Sequence, residues 1–227
     1  VTPRSGSKIL AFLLASAAGT AGAQSYTRQG YQEPSPRTIE VTPWGGLFWS
    51  SGVNTSAGTL SFDPGPDAGV ALGIQVDGKS QVEVLYLFAR PRAHFDSTSI
   101  FYASSPPFGV TTQYLQVGGL STFSQGRVEP FISGGLGLAW FSPSDVQVEG
   151  ASTIQPQDTW LFAFNLGGGV KWWISEAIGL RFQARFLMPV FFNSGTFLSG
   201  PNGASLRVNS GIPIVQGDLT LGLAISP

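Results

Sequence analysis

From Thr38 onward, large apolar residues recur at every second position in several stretches of the chain. Ile132, Gly134, Leu136, Leu138 and Trp140 fall on one parity, and Glu129, Phe131, Ser133, Gly135, Gly137 and Ala139 on the other. A period of two sends neighbouring side chains to opposite faces of a β-strand. The same alternation runs through 160–173, where Trp160, Phe162, Phe164, Leu166 and Trp172 oppose Ala163, Asn165, Gly167, Gly169 and Lys171. It returns in 178–188 and 218–225, and weaker versions span 38–49, 68–76, 81–90 and 110–123. Together these segments predict eight strands, and no apolar run from Thr38 onward is long enough for a spanning helix.

The connections sort into two kinds that alternate along the chain. Long ones cover roughly 50–67, 91–109, 142–158 and 191–211, while short ones carry hairpin residues: Asp77-Gly78-Lys79-Ser80, Ser124-Gln125-Gly126-Arg127 and Ser175-Glu176. Long loops at one end and tight turns at the other describe an antiparallel up-and-down meander, and closing eight such strands into a barrel removes the exposed edges. A soluble barrel would keep its apolar residues inside, whereas a membrane barrel wears them outside. The charged strand residues here share their parity with Gly, Ala, Ser, Thr and Asn, not with Leu, Ile, Val, Phe and Trp. Small residues suit the narrow interior of an eight-stranded barrel, so the large apolar set is expected to face lipid. The predicted fold class is an all-β, transmembrane, eight-stranded antiparallel β-barrel over 38–227.

Composition agrees with that reading. Charged residues make up 11% of the 227 residues, and 12 Lys and Arg stand against 13 Asp and Glu, which leaves no basic excess for nucleic acid. Ahead of the barrel, Arg4 and Lys8, an apolar run from Ile9 to Ala18 and Ala21-Gly22-Ala23 have the layout of a secretory signal peptide, so 1–23 is expected to be removed. The polar, proline-containing stretch 24–37 is expected to be a flexible lead-in. The stretch FNLGGGVKWW, 164–173, has the glycines and lysine of a phosphate-cradling loop, but no helix follows for an anion to cap. It reads as the sixth strand, with Gly167, Gly169 and Lys171 facing inward.

The pairing of RVEPFISGGLGLAWF (127–141) with FAFNLGGGVKWWISEAIGLRFQARF (162–186) resembles the small outer-membrane β-barrel family of OmpA-like, OmpX-like and OmpW-like proteins. The resemblance covers about 38–226 and is one of side-chain classes, specific to the architecture. It implies a bacterial outer-membrane location, loops outward and termini periplasmic, and contact with lipid, lipopolysaccharide and the barrel assembly machinery. Members usually end on an aromatic residue that this machinery reads; here the end is Leu223-Ala224-Ile225-Ser226-Pro227. Either Ile225 takes the aromatic's place or the C-terminus is unusual. OmpX-like relatives suggest adhesion or a structural role, and OmpW-like ones a route for small hydrophobic molecules.

Three sets of residues are candidates for chemistry. Glu40, Glu83, Glu129, Lys171, Arg181, Arg185 and Asp218 are expected inside the barrel, and because buried charges are costly unless paired they are expected to form a structural network, with an ion path or gate as the alternative. The single histidine, His94, lies near Asp96 and Ser97, the residue types of a catalytic triad, but the late-strand His-x-Ser-Asn run expected of a lipid A deacylase is missing, so the reading is of no enzyme and a lipid-modifying activity ranks third. No cofactor or metal is expected, with no Cys and with Asp63 and Asp67 as isolated loop acids. Phe62, His94, Phe95, Phe101, Tyr102, Phe108 and Phe197, with Phe191 and Phe192, are candidate loop contacts or an aromatic rim in the lipopolysaccharide layer.

Overall fold

A computed structural model describes residues 38–55, 58–96, 107–144, 158–190, 196–199, 205–207 and 214–226. The stretches expected to be a signal peptide and lead-in, together with Ser97, Phe101, Tyr102, Phe191 and Phe192, lie outside the described residues. Within them the strands are β1 (Ile39–Ser50), β2 (Val53–Thr55), β3 (Gly58–Asp63), β4 (Gly65–Gln75), β5 (Ser80–Ala89), β6 (Arg92–Asp96), β7 (Phe108–Thr122), β8 (Val128–Pro143), β9 (Thr159–Trp173), β10 (Ile178–Val190), β11 (Thr196–Ser199), β12 (Ser205–Arg207) and β13 (Gln216–Ile225). Eight of them, β1, β4, β5, β7, β8, β9, β10 and β13, pair antiparallel in a ring. The first and last strands close it, with Val41 opposite Ile225 and Leu47 opposite Leu219.

The tight turns follow from their side chains. Asp77 Oδ1 accepts the N–H groups of Lys79 at 2.7 Å and Ser80 at 2.8 Å, which folds the β4–β5 turn. Gly126, between β7 and β8, takes a φ of 149°, where a side chain would be strained. In the β9–β10 turn Ser175 Oγ accepts the N–H of Ile178 at 3.0 Å.

The outer wall is apolar where the parity says it should be. Leu47, Leu115, Ile132, Leu166, Phe186 and Leu219 all point out with half or more of their surface uncovered. No water-soluble barrel could expose such a continuous band, so this face is the lipid-facing one. Aromatics mark both rims: Trp172 at the turn end, and at the loop end Trp160 stacked on Trp140 with ring centroids 4.7 Å apart. Five of the eight barrel strands, at 12 to 16 residues, exceed the roughly 9 to 11 needed to cross hydrocarbon at a tilt, so part of the barrel rises beyond the bilayer.

Two expectations need correction there. The long connections are not all loop: β2, β3 and β6 continue the sheet above the barrel, with β3 paired to β6 and Ala93 opposite Phe108 of β7. Above the lipid the parity rule also inverts. On β7 the outward residues change from Leu115, Val117 and Gly119 to Gly109, Thr111 and Gln113, while Phe108, Val110 and Tyr114 turn inward and are buried. Water surrounds this part of the barrel, so its interior becomes an ordinary core containing Phe48, Leu60, Leu87, Phe108, Phe141 and Leu187.

Candidate functional site

The lumen is built in layers because inward residues of neighbouring strands stand side by side in register. Nearest the tight turns, Lys171 of β9 is opposite Glu129 of β8 and Arg181 of β10. The Lys171 ammonium donates to Glu40 Oε2 at 2.5 Å and to Gln81 Oε1 at 3.0 Å. Arg181 forks onto Glu83, with Nη1 to Oε2 at 2.5 Å and Nη2 to Oε1 at 3.2 Å, and lies 3.8 Å from Glu40. The Phe131 ring supports both cations, 4.9 Å from the Arg181 guanidinium and 5.9 Å from Lys171 Nζ.

Towards the middle, Gln183 Nε2 donates to Ser133 Oγ at 3.0 Å and Asn165 Nδ2 to Gln116 Oε1 at 2.8 Å. These groups line a cavity of about 10 Å³, space for about one water molecule. Gly167 faces the same interior: a Cβ there would meet Arg185 Cγ and the Ala184 carbonyl oxygen at 2.8 Å, so a larger residue is shut out. One layer on, Arg185 binds Asp218, its register partner, through Nε at 3.0 Å to both carboxylate oxygens and Nη2 at 2.5 Å to Oδ2. The guanidinium lies 4.4 Å over the buried Trp44 ring. Tyr114 Oη then donates to Gln216 Oε1, and the apolar core begins.

All seven charged residues expected in the lumen are buried there, and six of them join three ion pairs: Glu40 with Lys171, Glu83 with Arg181 and Asp218 with Arg185. Glu129, the seventh, accepts the Gly126 N–H at 3.4 Å. Sequence reasoning missed Asp67. Read as an isolated loop acid, it is an inward residue of β4, buried against Gly46. The signal is its parity, shared with Gly69, Ala71 and Gly73, which extends the expected strand by one residue at its start. The neutral partners Gln81, Gln116, Gln183 and Gln216 were missed as well, because their type alone does not distinguish them from surface glutamines.

The loop-contact candidates divide differently. Phe108 is buried in the core and Phe62 is packed against it, which corrects their reading as exposed loop aromatics. Both sit where the barrel stands clear of lipid, and water outside drives them in. Phe95 falls in β6 and Phe197 in β11. His94, also in β6, is opposite Ser61 of β3, with Nδ1 3.6 Å from Asp63 Oδ1. The adjoining strand β3 thus brings an acidic residue to it.

The geometry defines the class: a membrane-spanning eight-stranded β-barrel with a packed interior. Its fold is that of the small outer-membrane β-barrels. The crystal structure of Neisserial surface protein A is similar with a TM-score of 0.53 at 13% identity, covering 83% of this chain and 97% of that one. The outer membrane protein OprG from Pseudomonas aeruginosa aligns at 13% identity over 83% of this chain and 95% of its own with a TM-score of 0.48, and AlkL in lipid bilayers at 13% over 89% and 96% with 0.47. The barrel fold is shared with Neisserial surface protein A. No protein-family model matches the sequence, and no curated protein matches it.

Proposed function

We propose that this chain is an integral outer-membrane protein with a structural or surface-interaction role exerted at its loop end, and that it is not a pore. Its partners on this reading are outer-membrane lipid and lipopolysaccharide along the wall and rims, and the barrel assembly machinery during insertion. Long connections face outward and both barrel termini face the periplasm. The observation that carries the reading is the filled lumen. Three ion pairs with their glutamines close the half nearest the turns, and the core of Phe48, Leu87, Phe108, Phe141 and Leu187 closes the other. A solute would have to break both. Such a barrel offers its connections as its working surface, as expected where binding residues sit on loops held by a rigid scaffold.

Conductance in planar bilayers tests this. The purified protein is expected to insert without current steps; discrete ohmic steps from the wild-type protein would replace this reading by the narrow-channel one. A lipid-modifying role ranks behind both, since the late-strand His-x-Ser-Asn run expected of a lipid A deacylase is missing.

A further inference from the structure

The outward face of the barrel changes character in steps towards the loop end. Phe88 of β5 is opposite Gln113 of β7, Gln113 opposite Trp140 of β8 and Trp140 opposite Trp160 of β9, so these four stand in one row around the wall. Three of them are aromatic, and Gln113 is held in the row by the Tyr86 hydroxyl, which donates to its Oε1 at 2.6 Å. Such a row marks the boundary between hydrocarbon and lipid headgroups. The next outward residues are polar: Thr111 is opposite Ser142, whose Oγ donates to Asp158 Oδ1 at 2.6 Å. Arg90 stands at this height, two residues beyond Phe88, and Arg92 two further on; both are exposed, with Pro91 buried between them. Headgroup level therefore carries two cations.

The wall beside them is shaped. Arg92 is opposite Gly109 of β7, and the Gly109 carbonyl accepts the Ser144 N–H at 2.9 Å from the end of β8. A Cβ on Gly109 would be 3.4 Å from Arg90 Nε, 3.4 Å from Ser144 Oγ and 3.9 Å from Arg90 Nη2. The guanidinium and the hydroxyl thus converge on a space that exists because Gly109 has no side chain. Arginine donates and cannot accept, so this space suits an oxyanion. Among the described residues no acid pairs with either arginine: Asp63, opposite Arg92, has its Oδ1 3.6 Å from His94 Nδ1, and Asp158 accepts from Ser142. We propose that Arg90, Arg92 and Ser144 bind a phosphate group of lipopolysaccharide over the bare backbone of Gly109. Height and charge select the ligand. Just above an aromatic row the phosphates of the surrounding lipid are the oxyanions at hand, and a guanidinium meets a phosphate with two parallel N–H groups. That the lipid is the outer-leaflet glycolipid rests on the outward orientation of the loop end proposed above.

The test titrates the isotope-labelled full chain in uncharged maltoside micelles with three lipids: diphosphorylated lipid A, the same lipid stripped of its phosphates, and phosphatidylglycerol. The NMR signals of the Arg90 Nε–H and the Gly109 amide report binding. Wild type is expected to respond to diphosphorylated lipid A at the lowest mole fraction and to be silent to the stripped lipid. Arg90→Gln, read at Gly109, is expected to raise the half-saturating mole fraction about tenfold, the loss of a charge-assisted contact. Gly109→Val keeps both charges but fills the space, and is expected to weaken binding to a similar extent, read at Arg90. An equal response to the stripped lipid overturns the phosphate site, and that comparison needs no variant. A Gly109→Val protein that binds like wild type overturns it too, because diffuse attraction to two arginines would then suffice. Equal saturation by phosphatidylglycerol overturns the assignment to lipopolysaccharide. Current steps in planar bilayers, by contrast, would remove the non-pore reading and leave this site standing.

Discussion

At the scale of single residues, the interior consists of charges that are tolerated only because they are paired. Arg185 is 1% exposed and Asp218 fully buried, so Arg185→Ala strands a carboxylate in the lumen and is expected to cost about 3–5 kcal/mol in unfolding experiments in detergent. An unchanged melting temperature would mean that the pair contributes nothing. The turn residue Asp77 allows a pH test outside the membrane. The N–H of Lys79, then that of Ser80, hold its carboxyl below the ordinary 3.8. A lowered folded value means that its contribution is present above the unfolded value and is lost as pH falls through the folded one. Amide exchange at Lys79 and Ser80, corrected for intrinsic rates, is expected to quicken at acidic pH and to be pH-independent in Asp77→Asn. Which charged residues turn inward was legible from parity for all but Asp67, but their pairing was not. Register puts Arg185 beside Asp218 on adjacent strands, whereas Lys171 reaches Glu40 across the barrel, a contact between residues far apart in sequence.

At the scale of elements, one strand carries two environments. The outward face of β13 is Leu219, Leu221, Leu223 and Ile225, and a charge in the middle of that band has to enter hydrocarbon. Leu221→Arg is expected to destabilise the barrel by about 2–4 kcal/mol in lipid-based refolding titrations, whereas a change of less than about 0.5 kcal/mol would place that residue outside the bilayer. Gly167→Val tests the inner face: its Cβ meets Arg185 Cγ at 2.8 Å, and overpacking of about 1–3 kcal/mol is expected, read as a lower unfolding midpoint. The eight barrel strands could be read from the sequence because alternation, hairpin residues and connector lengths agree. The upper sheet could not. The alternation in 53–63 and 92–96 is too short and too polar to distinguish from loop, and only pairing to a neighbour makes β3 and β6 strands. Phe62 and Phe108 were misplaced for the same reason, since an aromatic beside a strand end counts as surface until something is seen to cover it.

At the scale of the whole molecule, the lipid band sets which face is apolar, and where the barrel leaves lipid the rule reverses. The lower barrel is inside-out relative to a soluble protein and the upper part is not, so the lumen passes from ion pairs to an aromatic core along its axis. That change seals it, and the seal underlies the proposed non-pore role. Composition and parity foretold a barrel in a membrane with a charge network inside; they did not foretell the aromatic core above that network, because the residues that form it lie on strand extensions that look like loop ends. The assignment of faces is open to direct measurement, since the chain contains no cysteine and single cysteines can be introduced one by one. Nitroxide labels at successive positions from 218 to 224 of the barrel reconstituted in lipid report contact with hydrocarbon through collisions with dissolved oxygen. High oxygen accessibility at 219, 221 and 223, with low accessibility to oxygen and to a water-soluble relaxant at 218, 220, 222 and 224, is the predicted result. Uniform accessibility, or the opposite parity, would contradict a barrel that wears its apolar face outward around a packed lumen.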